Sequence, residues 1–339
     1  MNNAQELIKV ARALVAPGKG ILAADESTGT IEKRFAAIGV PSTEENRRSY
    51  REMLFTTPDI GAYISGVIMF DETIRQSAGN GKRFVEVLQG TGILPGIKVD
   101  KGLKPFGGSM EEKLTEGLDG LQERLAEYKQ LGAKFTKWRS VIAIGEAIPT
   151  DACIKANMHD LARYAALAQE AGLVPIVEPE VLMDGDHGIG RCGEVTEHAL
   201  KNLFDELRDQ NVLLEGTVLK TNMVVPGKKA TVQATPAQIA EASLRVYRRT
   251  VPATLPGIAF LSGGQSEIEA TVNLNEMNKT GPQPWELSFS YGRALQESAL
   301  KAWAGKPENA PEAQKAFYRR AKCNSTARYG KYAAAMEKG

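Results

Sequence analysis

Leu173–Glu180 reads LVPIVEPE. Its first half is the unbroken apolar run of a strand buried on both faces. Its second half sets Glu178 and Glu180 two residues apart, so in a strand both carboxylates point to one side. Seven further apolar runs surround it: Gly20–Ala24, Ala62–Phe70, Ile93–Asp100, Ala133–Arg139, Gly216–Val225, Gly257–Ser262 and Trp285–Tyr291. Helical periodicity fills the intervals, over Gly117–Leu131, Met158–Ala171, Val195–Leu207, Pro236–Tyr247 and Ser266–Met277, and Arg293–Trp303 follows the eighth run. Ser42-x-x-Glu45 and Ser109-x-x-Glu112 read as capping boxes. Eight strands alternating with helices predict an α/β fold, a closed (β/α)8 TIM barrel rather than an open doubly wound sheet. The helix of Met1–Val15 and a helical tail are additions to it. The expected organisation is one domain over 1–339, with a barrel core of about 18–303 and a tail of about 304–339.

Other runs repeat the charge pattern of Leu173–Glu180. Lys98 alternates with Asp100, Lys137 with Arg139, and Lys220 with Asn222. Asp25 closes the first run, Ser262 closes the seventh, and Arg293 follows the eighth. An unpaired charge in an apolar strand costs several kcal/mol, so a fold keeps such a cluster when the charges neutralise one another or do chemistry. In a barrel these groups converge at the C-terminal mouth, where active sites are built.

Composition narrows that chemistry. Lys and Arg number 42 against 41 Asp and Glu, so global charge argues for neither nucleic acid nor an anionic membrane as partner. No apolar run approaches the length of a membrane-spanning helix. Cys153, Cys192 and Cys323 lie far apart without a C-x-x-C, which excludes a disulfide scaffold and a cysteine zinc ribbon. Met1–Val15 lacks the continuous apolar core of a signal peptide, and a cytoplasmic protein is expected. With only three histidines, acid–base work falls on Lys, Asp, Glu or Tyr, and neither a metal nor a cofactor is expected.

Mixed cations and carboxylates suit phosphorylated substrates and proton transfer. A lysine can also attack a carbonyl to form a Schiff base, once its pKa of about 10.4 falls toward about 7–8. Lys220, deep in an apolar run, is the best placed; Lys137 and Lys98 follow. Glu178, one strand earlier, is positioned to shuttle protons. Ser262-Gly263-Gly264 at a strand end, with Gly292-Arg293 after the last strand, reads as a phosphate site. Ser27, Thr30 and Arg34, with Lys98 opposite, read as a second, so the substrate would carry phosphate at both ends. Gly188–Gly193 matches G-x-G-x-x-G, but it lies too far beyond its strand for dinucleotide binding. His187 beside Asp186 reads as a solvated loop histidine, and Arg319-Arg320 as part of an exposed helix face.

The blocks GKGILAADEST, GIKVDKGL, KFTKWRSVIAIGE, LVPIVEPEVLMDGDH, EGTVLKTNMVVPG, GIAFLSGGQSEIEATVNLN and LSFSYGRALQESALKAW closely resemble class I fructose-1,6-bisphosphate aldolase, from about Ala16 to Trp303. The resemblance implies a metal-independent barrel lyase, commonly a homotetramer. Such an enzyme cleaves fructose 1,6-bisphosphate reversibly to dihydroxyacetone phosphate and glyceraldehyde 3-phosphate in glycolysis and gluconeogenesis. It implies Lys220 as the Schiff-base lysine, Glu178 as the acid–base of its formation, and Asp25 as partner of the C4 hydroxyl. Lys137 joins them in catalysis. Arg139 and Glu180 join the substrate contacts. Lys98, Ser27 and Thr30 fall at the 6-phosphate end, and Ser262, Gly263, Gly292 and Arg293 at the 1-phosphate end. Two departures stand out. Lys220-Thr221-Asn222-Met223 replaces the family's K-P-N-M, and no tyrosine ends the chain, where many members carry one that assists proton exchange at C3. Another Schiff-base aldolase for a phosphorylated sugar, or a scaffold protein of the same fold, are the competing readings.

Overall fold

A computed structural model describes residues 3–109 and 111–338. Ten strands occur among them: β1 Gly20–Ala24, β2 Ile64–Met69, β3 Leu94–Lys98, β4 Leu103–Pro105, β5 Lys113–Thr115, β6 Phe135–Ile142, β7 Val174–Val181, β8 Val218–Thr221, β9 Gly257–Phe260 and β10 Glu286–Tyr291. Eight close into a parallel barrel in the order β1-β2-β3-β6-β7-β8-β9-β10, and β10 returns to β1. These are the eight predicted strands. The extra pair, β4 and β5, forms an antiparallel hairpin between β3 and β6.

The helices that cover the barrel begin where local chemistry starts them. The predicted stretches 158–171, 195–207, 236–247 and 266–277 lie within α7 (Asp151–Glu170), α8 (Ile189–Asp209), α9 (Pro236–Thr250) and α10 (Glu267–Lys279), apart from the cap Ser266 and a last residue at Ala171. Thr235 and Ser266 cap the last two through reciprocal boxes with Gln238 and Glu269. The predicted 117–131 helix shortens to α6 (Leu121–Leu131), because Gly120 takes a positive φ of 63° just ahead of it. The Ser42 box shifts by one residue: Thr43 is the acceptor that caps α3 (Glu44–Phe55). The Ser109 box is overturned. Its backbone bond from Glu112 to Ser109 Oγ forms, but it closes the turn of the β4–β5 hairpin and starts no helix.

Packing follows the pleat. Ile21 and Ala23 of β1, Phe135 of β6, Val174 and Ile176 of β7, and Val218 of β8 fill the barrel interior, while Leu22, Ala24, Val177 and Leu219 face the surrounding helices. Gly66 and Gly96 leave room for the Phe135 ring; a Cβ at Gly96 would stand 2.2 Å from it. The interior cluster is closed from below by α1 (Asn3–Leu14), whose Leu7, Val10, Ala11 and Leu14 join it with Val15.

The tail packs on the outside of the barrel, against α10, α3 and the helix Arg293–Trp303. It comprises α12 (Ala310–Ala327) and a short 3-10 turn, Ala334–Lys338. The buried Arg328 guanidinium donates to the carbonyls of Val15, Ala16 and Lys19 just before β1, and to Leu287 in β10. Arg320 contradicts the exposed-face expectation: it is buried and pairs with Glu337, which also accepts from Tyr332.

Candidate active site

The inward parity of each strand decides what reaches the mouth. Ile21 and Ala23 lead to Asp25. Phe135 leads to Lys137 and Arg139, Val174 and Ile176 lead to Glu178 and Glu180, and Val218 leads to Lys220. Every step is two residues, so the charged layer sits directly above the apolar one. These side chains line a cleft of about 770 Å3 together with Ser27, Thr30, Arg34, Lys98, Ser262, Gly263, Gly292 and Arg293. Gly264 alone of the predicted residues lies aside. Its amide donates to Met183 Sδ, and a Cβ there would stand 2.0 Å from Lys228 Cε. Asn222 also leaves the pattern. β8 ends at Thr221, and the Asn222 side chain turns to accept from the Val181 amide and donate to Thr196.

At the centre, four charged groups alternate in sign. Lys220 Nζ lies 3.0 Å from Glu178 Oε1, Lys137 Nζ lies 3.1 Å from Glu178 Oε2, and Lys137 Nζ lies 2.7 Å from Asp25 Oδ2. The side chains of Lys137, Lys220 and Glu178 are only 3–4% exposed. Glu178 Oε2 has no well-directed hydrogen bond, although it stands within ion-pair distance of Lys137. Burial pushes the Asp25 carboxyl up, but Lys137, Lys220 and Lys98 overcome it and hold the group well below the usual carboxylate range. Burial and its neighbours act likewise on Glu178, where Lys137, Lys220 and Arg139 win. On Lys137, burial opposes the charge, while Asp25, Glu178 and Asp100 raise its pKa and keep it protonated.

Around this row, Arg139 pairs with Glu180, and Lys98 Nζ lies 3.1 Å from Asp100 Oδ1. Ser27 Oγ and Thr30 Oγ1 stand 3.1 Å apart at the start of α2 (Thr28–Ala36). Opposite, Arg293 Nη2 donates to the Gly263 carbonyl at 2.6 Å, and Gly263 takes a φ of 54°. Arg34 departs from its predicted grouping. Its guanidinium pairs with Glu26 and reaches toward Gly292, where a Cβ would meet Nη2 at 3.6 Å.

Sequence reasoning missed Glu26. This buried carboxylate pairs with Arg34 and Arg51 and accepts from Gln296 at 3.0 Å. It follows Asp25 beyond the strand end, where alternation no longer tells direction. His187 corrects another expectation: it is buried, does not line the cleft, and neither ring nitrogen has a partner among the described residues. All three cysteines are free and buried. No group of three His, Cys, Asp or Glu side chains fit to hold a metal occurs among the described residues, and no helix there is long and apolar enough to cross a membrane.

Comparison with known proteins converges on one family. A family model described as class-I fructose-bisphosphate aldolase matches residues 6–339. A probable class 1 fructose-bisphosphate aldolase of Xanthomonas axonopodis pv. citri is 57% identical over 329 residues, 97% of this chain and 98% of its own. The cytosolic fructose-bisphosphate aldolase 4 of Arabidopsis thaliana is 55% identical over 96% of this chain and 84% of its own. A solved fructose-bisphosphate aldolase of Plasmodium falciparum, in a ternary complex with TRAP and a small-molecule inhibitor, superposes with a TM-score of 0.97. It is 51% identical and covers 98% of this chain and 97% of its own. With the barrel, the charged mouth and these matches together, the chain belongs to the class-I fructose-bisphosphate aldolases, glycolytic lyases acting on a phosphorylated sugar.

Proposed function

We propose that this aldolase works through a Schiff base on Lys220, without a metal, and that the four-charge row is its catalytic machinery. The observation that carries the reading is the contact of Lys220 Nζ with Glu178 Oε1 at 3.0 Å, at the mouth end of a fully buried strand. Proton transfer along that contact frees the Lys220 lone pair to attack the C2 ketone of the open-chain sugar. Glu178 then returns a proton to the carbinolamine hydroxyl, which leaves as water and gives the iminium. Lys137 holds Glu178 and Asp25 in place and balances their charge. Asp25 takes the C4 hydroxyl proton, the C3–C4 bond breaks, and its electron pair moves into the iminium to give the enamine. Glyceraldehyde 3-phosphate departs. Protonation at C3 and hydrolysis release dihydroxyacetone phosphate.

Phosphate groups orient the sugar across the mouth. Ser262, Gly263, Gly292 and Arg293, joined by Arg34, serve the 1-phosphate; Ser27, Thr30 and Lys98 serve the 6-phosphate. Arg139 and Glu180 line the cleft between them as substrate contacts. Gly264 supports the first end through its backbone. The whole chain acts as one unit, a barrel core of about 18–303 with its tail, because Arg328 ties the tail to the entry of β1. A homotetramer is proposed on the family resemblance, and a cytoplasmic location on relatives described as cytosolic or cytoplasmic isozymes.

Borohydride reduction in the presence of fructose 1,6-bisphosphate and EDTA, read by peptide mass, tests the chemistry. A sugar-phosphate adduct on Lys220 is expected. An adduct on another lysine overturns the residue assignment, and absence of any adduct overturns the Schiff base.

A further inference from the structure

Lys228 lies outside the row and outside the predicted site, yet its side chain crosses the glycine turn beside the mouth. A Cβ at Gly264 would stand 2.0 Å from Lys228 Cε and 2.3 Å from Nζ. The lysine stem and ammonium thus lie directly over the Gly264 backbone. Gly263, the next residue back, lines the cleft and is held by Arg293.

The backbone that carries Lys228 is fixed. Three amides in succession bond to the loop after β7: Gly227 to the His187 carbonyl at 2.8 Å, Lys228 to Met183 at 2.7 Å, and Lys229 to Gly185 at 3.0 Å. Gly227 permits this approach, since a Cβ there would stand 2.2 Å from the Gly185 carbonyl oxygen. The same Met183 receives the Gly264 amide on its sulfur. One residue thus joins the lysine backbone to the glycine turn.

The charge itself is weakly engaged. Its carboxylate neighbour is Asp184 at 3.5 Å; the two side chains are 42% and 69% exposed. An exposed pair at that distance contributes little and yields readily to a better anion. An ammonium over this turn suits a dianionic phosphate, because the Gly264 and Gln265 amides already bond Met183 Sδ and the Ser262 carbonyl and the lysine supplies charge that the turn does not.

We propose that Lys228 is a specificity-determining cation of the Ser262–Gly264 end, binding the phosphate that dihydroxyacetone phosphate carries and that fructose 1,6-bisphosphate presents there. The inference rests on reading that end as the 1-phosphate site. Asp184 is its resting partner, displaced when the phosphate arrives.

Steady-state kinetics in the condensation direction test it, because each substrate then brings one phosphate to one end. Lys228→Met keeps the stem over Gly264 and removes the charge. It should raise KM for dihydroxyacetone phosphate roughly fivefold, as loss of a partly exposed ion pair does. KM for glyceraldehyde 3-phosphate should not change, and Lys228→Arg should restore the first value. Equal changes in both KM values, or none in either, overturn the proposal. Arg293→Met serves as reference. If it raises KM for dihydroxyacetone phosphate and Lys228→Met does not, the phosphate end stands and the role of Lys228 falls. If neither does, the reading of that end falls and takes this proposal with it.

Discussion

Lys137 Nζ stands 2.7 Å from Asp25 Oδ2, across the barrel from β6 to the residue that follows β1. Burial alone raises the pKa of Asp25, and Lys137 leads the charges that reverse the effect. The same ammonium helps depress Glu178. A carboxylate with a depressed folded pKa adds stability above its unfolded value, about 4. That stability is lost as the pH falls through the folded pKa. Without Lys137, burial raises both folded pKa values, so Lys137→Met should cost most stability near neutral pH, and the gap to the parent protein should narrow as the pH falls. Thermal melts of both proteins between about pH 3 and pH 7 check this. Coincident profiles would show that Lys137 does not hold the two carboxylates down.

Asp25→Asn separates bond cleavage from Schiff-base formation. Asp25 does not contact Lys220 through an ion pair, whereas Glu178 does. The variant should still give a borohydride-trapped adduct on Lys220, while kcat for cleavage falls about 100-fold or more, as loss of a positioned base does. Quench-flow trapping alongside turnover reads the two steps. Loss of both together would place Asp25 in Schiff-base formation as well.

Glu178→Gln acts one step earlier. The amide keeps the shape but cannot take the proton of Lys220 or return it to the carbinolamine. Adduct formation should slow about 100- to 10,000-fold. KM should change little, because the phosphate ends are untouched. A normal rate of trapping would assign the proton transfers elsewhere.

The tail offers a prediction of no effect. Tyr332 donates to Glu337 at 2.6 Å, and the Tyr329 hydroxyl lies over Gly18, ahead of β1. Tyr329 lies at the end of the barrel away from the charged mouth, and Tyr332 lies on the outer side of α10, where its amide donates to Asn275 Oδ1. Exchange of the C3 proton of dihydroxyacetone phosphate with solvent, followed by NMR, should proceed at the parental rate in Tyr329→Phe and in Tyr332→Phe. A slowed exchange in either would mean that the tail leaves its place on the outside of the barrel during turnover.

Strand alternation made much of this site legible. Glu178 and Glu180 are two apart, as are Lys137 and Arg139, and the pleat carries each pair into the mouth. Alternation fails where strands stop. Asn222 keeps the spacing from Lys220 but lies past Thr221, so its side chain turns into the packing against α8. Glu26 fails for the same reason at β1. Arg34 sits on α2, and which end it serves depends on the aim of a helix, a tertiary property that no spacing encodes. Ser109 and Glu112 form the expected local bond in a hairpin, because one side-chain acceptor satisfies one amide in either setting.

The alternating row has an electrical consequence. Two ionised carboxylates and two ammoniums cancel, and a proton passed from Lys220 to Glu178 leaves that sum at zero. With both carboxylates ionised again, an uncharged imine on Lys220 would leave the pocket with one excess negative charge in surroundings that screen it poorly. The protonated iminium restores neutrality. On the proposed mechanism, the arrangement that holds the four charges together therefore also favours the electron-withdrawing form of the bound sugar, and the pull on the C3–C4 bond is built into the balance of the pocket before any substrate arrives.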